Sequence, residues 1–517
     1  MEGVAQVQKG KFLNTLERVG NALPHPALLF GIFALMILFL SGICSWLGWS
    51  ATHPANGEVI ETVNLLSKSG FHKIVLNMVE NFTGFAPLGI VLVAMLGIGI
   101  AESSGLIGVA IRKLVLSAPK YSLSFVMVFA GILSNMASDV GYVLLIPLAG
   151  TIFIAVNRHP IVGMAAAFAG VSGGFSANLI LGTIDPLLAG LSTEAAQIVD
   201  VNYEVNPTAN YYFMFISTFI IAFAGTWVTE KIIAPRFGEY KGNETVSMDH
   251  LSPLEKKGLK AAGAVFLLFV AIILIGLIPE NGFLRTEEGS ILKGPLIKGV
   301  ISWLVFIMVG MGLAYGFVSG NFKKQDDVVK GMTASIKSLS GYIVLVFFAA
   351  QFVAFFKWSN LGLIFAIKGA GFLNDLFGAS ESGLMAQGFD WKVIPLMILF
   401  ILFAAVMNMF MGSASAKWAV LGPVFIPMFM LMGYSPELSQ VVYRIGDSVT
   451  NIISPMMSFF ALIITYFQKY DKNSGIGTIM STMIPYSFAF FFAWIGLLII
   501  WIVFDIPLGP GIGIHLP

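Results

Sequence analysis

From residue 24 to residue 50 the sequence carries no Asp, Glu, Lys or Arg, and most of its side chains are aliphatic or aromatic. As a helix this run is long enough to cross the hydrocarbon core of a bilayer, which takes about 20 residues. It is too long for the core of a signal peptide and has no small-residue cleavage site, so it reads as a retained span. Further long apolar stretches lie at 86–102, 161–193, 211–228, 261–279, 295–318, 339–357, 437–467 and 482–505. Lipid offers backbone groups no hydrogen bonds, so only helices or closed barrels can span it. A barrel would show alternating segments of about ten residues, which are absent. The fold class is therefore an all-α polytopic membrane protein with nine crossings. Composition agrees: 11% of residues are charged, against about a quarter in soluble domains, and mean hydropathy is +0.86. A net charge of +1 offers no nucleic-acid surface, and the single cysteine, Cys44, excludes an internal disulfide.

Two other apolar stretches, 121–156 and 392–431, are too long for one crossing and are interrupted by small and polar residues. They read as re-entrant hairpins, which are tolerated only where protein or a watery cavity surrounds them. Charge placement tests the layout. With the N-terminus cytoplasmic, 19 of the 29 basic residues fall inside and eight outside, leaving Lys417 and Arg444 in the membrane region. That bias follows the positive-inside rule and puts the C-terminus outside. It also makes the hairpins enter from opposite sides, as in an inverted repeat. "ASDVGYVL" (137–144) and "ASAKWAVL" (414–421) match at four of eight positions. Each hairpin leads through a turn with a proline, Pro160 or Pro436, into a polar, interrupted helix: "FSANLILGTIDP" (175–186) or "GDSVTNIISP" (446–455). The whole chain, 1–517, is read as one transporter domain, with broken helices at 161–193 and 437–467.

Inverted repeats with discontinuous helices place substrate and ion sites near the bilayer midplane, where half-helix ends expose unpaired N–H and C=O groups. The hairpin tips "SNMASD" (134–139) and "GSASAKW" (412–418) supply Ser134, Asn135, Asp139, Ser413 and Ser415, which either cap the turns or bind a ligand. Ionisable residues at membrane depth are costly and mark functional cavities. Asp139, Asp185, Arg444 and Asp447 are such residues. Arg444 and Asp447 share a helix face, and Asn451 continues it. That face is either an intrahelical ion pair or an anion anchor beside a cation site. Asp185 has no basic neighbour in sequence, which makes it the expected proton carrier; the alternative is a structural Asp bonded to a carbonyl freed by Pro186. Asn178 lies in the same interrupted helix. Trp418 suits stacking on an aromatic substrate. Asn408 is either an oxygen ligand for sodium or interhelical glue.

These strings resemble the AbgT family of aminobenzoyl-glutamate transporters, nearest to its antimetabolite-efflux branch. The resemblance runs almost end to end, through "GNALPHPALLF" (20–30), "NFTGFAPLG" (81–89), "AFAGVSGGFSANLILGTIDPLLAG" (167–190), "AAQFVAFFKWSN" (349–360), "GSASAKWAVLGPVFIPMFML" (412–431) and "YRIGDSVTNIISPMMS" (443–458). It implies nine helices plus two hairpins, a homodimer in a bacterial cytoplasmic membrane with a periplasmic C-terminus, and no bound cofactor beyond a coupling ion, H+ or Na+. It implies a small aromatic carboxylate or sulfonamide as substrate. The family's functional positions fall on Asp185, Trp418, Pro436 and Arg444, and its proposed sodium ligands on Asn408 and Asp447. At Lys417 some relatives carry an uncharged residue, so substrate range can differ there. Rival classes are weaker. No HExxH or GxSxG motif supports an intramembrane enzyme, a channel would give unsaturable current, and a dicarboxylate importer of like architecture would respond to succinate.

Overall fold

The computed structural model describes residues 24–54, 57–136, 140–240, 251–377 and 392–516. Among the described residues nine helices are long and apolar enough to cross a membrane. Seven are crossings: Pro26–Trp46, Lys68–Ser103, Tyr211–Phe237, Pro253–Leu277, Val300–Ser319, Ser340–Trp358 and Ile476–Val503. The other two, Val393–Phe410 and Ala414–Leu431, are the arms of the second hairpin. The eighth and ninth crossings, at 161–193 and 437–467, are broken and contain no continuous apolar helix of that length. Several helices overrun the apolar windows because their polar ends continue outside hydrocarbon, as Lys68–Thr83 does ahead of Ala86–Ser103.

Helix starts follow local chemistry. Pro26, Pro160, Pro253 and Pro436 each open a helix. Proline's missing N–H costs nothing there, and its φ is already helical. Ser252 and Ser435 cap two of these starts, Ser252 in a reciprocal box with Glu255.

The first hairpin runs Leu123–Ser134 and back through a π turn, Gly141–Leu145, into Ile146–Ala155. A short helix, Leu106–Leu116, meets its entry at 114°. The first broken helix is Pro160–Phe168 with a π turn Ala169–Gly173, an unwound stretch at 174–183, and a restart at Ile184–Ala196. The second is Pro436–Asn451, a break at 452–459, and Phe460–Gln468. The order of hairpin, proline start and broken helix repeats as the sequence indicated. One detail differs. Pro186 does not end a helix; it sits in the first turn of the restarted one, where no i−4 carbonyl waits for its N–H. The break lies upstream of it.

Each hairpin tip rests on the break of its own repeat, with a glycine at the contact. A Cβ at Gly182 would lie 2.9 Å from the Asn135 carbonyl oxygen of the first tip. A Cβ at Gly412 in the second tip would lie 2.4 Å from the Met456 carbonyl oxygen. Either side chain would push backbone from backbone.

Cross-loop bonds group segments by side. Asn206 bonds the Ile297 carbonyl, the Tyr212 N–H bonds Leu508, and the Ser435 N–H bonds Ile514. On the opposite side Arg112 pairs with Glu255, Asn321 bonds Ser104 and Arg236 bonds Ser481. Both groupings match the two sides that the charge count separates.

Burial is concentrated in the repeats. Every residue of Pro160–Phe168 is buried, and all of Pro436–Asn451 except Thr450. The latter helix is rich in polar residues, so each must find a partner inside protein. By contrast Pro253–Leu277 buries only Gly258, Ala262 and Gly276.

Candidate functional site

The restart of the first broken helix carries Asp185 in its first turn. Its Oδ2 accepts the Gly182 N–H at 2.6 Å, so the carboxylate closes the end of the unwound stretch. Its Oδ1 accepts from Arg444 Nη1 at 2.6 Å. The two side chains are 2% and 5% exposed, so this is a dry pair joining the first repeat to the second. The expectation of a lone Asp185 therefore fails: its cation comes from 259 residues away, beyond the reach of a local reading. The pair leaves Arg444 Nε buried with no acceptor among the described residues, and Ser448 Oγ, one turn further along, is in the same position. A donor and a hydroxyl left open at a buried cation fit an anionic or hydrogen-bonding ligand. Arg444 lines a narrow crevice together with Ser176, Asn210, Met214 and Trp494, with no room for even a water molecule. A ligand pocket holds roughly 300–1,000 Å³, so the site is closed.

Asp447, three residues from Arg444, does not pair with it. It faces the second hairpin, where the Lys417 ammonium contacts both Asp447 Oδ1 and Asn408 Oδ1. Lys417 is fully buried. Asn408 Nδ2 lies within hydrogen-bond distance of the Asp447 carbonyl (2.7 Å), Asn451 Oδ1 (2.8 Å) and Thr450 Oγ1 (3.0 Å). Ser454 returns a bond to the Asn408 carbonyl. The shared face of Arg444, Asp447 and Asn451 is real, but the two charges on it serve different partners.

Trp418 is fully buried. It stacks on Tyr443 with centroids 4.4 Å apart, and its Nε1–H donates to Ser192 Oγ at 2.9 Å. One indole face is thus taken by protein. From Ser192 a chain of bonds continues through Gln440 and Asn210 to the Glu437 carbonyl, while the Tyr203 hydroxyl donates to the Glu437 carboxylate. Sequence reading missed Ser192, Asn210, Glu437, Gln440 and Tyr443. The signal for two of them, Glu437 and Gln440, was available: "PELSQ" (436–440) is too polar to be buried without partners.

The remaining candidates act locally. Ser413 caps Ala414–Leu431, accepting the Ala416 N–H, and Ser415 is 3.4 Å from it. Ser134 Oγ donates to the Gly131 carbonyl and Asn135 Nδ2 to Ile132. Asn178 accepts the Leu179 N–H. Pro436 starts its helix and lends the site position only. Asp139 lies outside the described residues.

Comparison with known proteins follows the same lines. A model described as the "AbgT putative transporter family" matches residues 11–516. The p-aminobenzoyl-glutamate transport protein of Escherichia coli (strain K12) is 37% identical over 506 residues, which is 98% of this chain and 97% of that protein. The structure of Neisseria gonorrhoeae MtrF, described as illuminating a class of antimetabolite efflux pumps, aligns with a TM-score of 0.89 at 46% identity, over 97% of this chain and 100% of that one. The Alcanivorax borkumensis YdaH transporter, described as having an unusual topology, aligns with a TM-score of 0.87 at 43% identity, over 94% and 100%.

Proposed function

The chain belongs to the AbgT family, a family of transporters and not of enzymes, and from that premise we propose that it is an ion-gradient-driven carrier of p-aminobenzoyl-glutamate- and p-aminobenzoate-like compounds. It exports sulfonamide antimetabolites by proton antiport across a bacterial cytoplasmic membrane, as a homodimer with its N-terminus inside and C-terminus outside. The observation that carries this reading is the buried Asp185–Arg444 pair between the two broken helices, with Arg444 Nε left open.

Antiport requires that substrate and proton exclude each other. p-Aminobenzoate, its glutamate conjugate and the sulfonamides share an aromatic amine. An amine N–H bonds about twice as strongly to an ionised carboxylate as to a neutral carboxyl, so a proton on Asp185 weakens the hold on substrate and favours its release. One charge moved through 100 mV supplies about 2.3 kcal/mol, enough for about fiftyfold concentration. The same pair supports a second reading. A substrate carboxylate that takes Arg444 from Asp185 leaves a buried carboxylate without its cation, which then binds a proton. Substrate and proton would travel together, and the carrier would import.

Proteoliposomes loaded with p-aminobenzoyl-glutamate and a pH-sensitive dye separate the two. Substrate exit that acidifies the lumen means antiport, and exit that alkalinises it means symport. Saturable exchange in neither direction under any imposed proton or sodium gradient would sink the carrier reading.

A further inference from the structure

A sodium ion at Asn408 and Asp447 does not fit this chain. A sodium ion needs a shell of several oxygens, and the oxygens in question are already engaged. Asn408 Oδ1 and Asp447 Oδ1 both face the Lys417 ammonium. Asp447 Oδ2 has the Asn451 amide beside it, and the Asp447 and Asn408 carbonyls accept from Asn408 Nδ2 and Ser454 Oγ. Charge points the same way. Among the described residues of this buried region the carboxylates Asp185 and Asp447 are each matched by one cation, Arg444 and Lys417. A metal ion added to them would leave an unpaired charge in a dry interior, which is costly.

We infer that the Lys417 ammonium is a tethered replacement for a coupling cation, and that this chain works without sodium. Lys417 sits on the arm of the second hairpin that follows its tip, while Asn408 is on the other arm and Asp447 on the second broken helix. One ammonium therefore joins both arms of the hairpin to the helix they flank. A free cation at this point would make the same three-way junction only while bound. A cation on a covalent stem makes it permanently, so sodium binding cannot report on, or drive, movement of the hairpin. The inference rests on the carrier reading, but its test does not need the substrate.

The test is thermal unfolding of the purified full-length protein, read by tryptophan fluorescence, as NaCl replaces choline chloride at constant ionic strength. The unaltered protein is expected to melt at the same temperature in either salt. Lys417→Ala is expected to melt lower in choline. It should regain a saturable, sodium-specific upward shift of several degrees, because the freed oxygens of Asn408 and Asp447 accept the ion. Lys417→Met, of similar length and uncharged, serves if the Ala variant does not fold, and Asp447→Asn in the same background should abolish the gain. A saturable sodium shift in the unaltered protein overturns the inference. So does a Lys417 variant that folds and ignores sodium, since Lys417 would then be a structural ion pair and no more. Flux in proteoliposomes that is unchanged when choline replaces sodium agrees with the inference, and flux that stops overturns it. An absence of flux under every gradient would count against the carrier reading alone.

Discussion

Substitution of Asp185 by Asn tests the central pair most directly. Asn keeps an oxygen to accept the Gly182 N–H, so the end of the unwound stretch retains its closure. What it loses is the charge facing Arg444, whose side chain is only 5% exposed. Removing one member of a buried pair costs about 3–5 kcal/mol, because the other charge is stranded. The retained acceptor contributes about 1 kcal/mol that an Ala variant would also forfeit. Asp185→Asn is therefore expected to lose about 3 kcal/mol, and Asp185→Ala about 1 kcal/mol more. The stranding argument has a sharper consequence. Replacing Arg444 by Gln as well removes the stranded cation, so the double variant should be more stable than Asp185→Asn alone. Denaturant unfolding in a fixed detergent measures all four corners of this cycle, and flux in proteoliposomes measures function alongside it. Additivity within about 0.5 kcal/mol would mean that the two side chains do not interact. Substrate accumulation by Asp185→Asn under a proton gradient alone would refute the coupling role of Asp185.

Three further outcomes are expected. Gly412→Ala places a Cβ 2.4 Å from the Met456 carbonyl oxygen, an overpacking cost of about 1–3 kcal/mol; a melting temperature equal to that of the unaltered protein would show that the tip does not bear on the break. Trp418→Phe keeps a ring against Tyr443 but removes the Nε1–H bond to Ser192, a loss of about 1 kcal/mol, and should raise KM for flux. A Trp418→Phe protein with unchanged stability and flux would dismiss that bond. Outside the membrane, the backbone N–H groups of Lys323 and Lys324 hold the Asp327 carboxyl below its ordinary value. A lowered carboxyl stabilises the cap above its unfolded value and stops doing so as pH falls through its folded value. Protection of amides 323 and 324, taken as their exchange rate relative to an unstructured chain at the same pH, should therefore fall on acidification, and Asp327→Asn should abolish that pH dependence.

Much of the fold is legible in the chain because bilayer thickness is an external ruler. A run such as 24–50 has one interpretation, and stretches the length of 121–156 and 392–431 have to turn back. The breaks are legible from small and polar residues in apolar surroundings, although Pro186 misleads about where the first one lies. The pairing of charges is not legible. Arg444 and Asp447 look like partners because they are three apart on a helix. Yet the face they share lies between two different elements, and each charge takes the nearer opposite: Asp185 from the restarted helix, Lys417 from the hairpin. Lys417 itself resembles a solvated residue at a polar turn; only the three-dimensional closure of the hairpin shows it to be fully buried. Glu437 looks like an ordinary acidic residue of a helix first turn, and nothing local shows that Tyr203 and Asn210 enclose it.

The crossed pairing also decides where this molecule can shear. A surface drawn between the repeats cuts one ion pair, Asp185–Arg444, together with the bonds of Ser192 to Trp418 and Gln440, of Asn210 to Gln440 and the Glu437 carbonyl, and of Tyr203 to the Glu437 carboxylate. It does not touch Lys417–Asp447, whose members both lie on the second-repeat side. The second hairpin and helix 436–451 are thus riveted into a single slab, while the joint to the first repeat is a latch with one charged bolt. Sliding of one slab past the other loads Arg444 and leaves Asp447 at rest, although the two side chains sit within a single turn of the same helix.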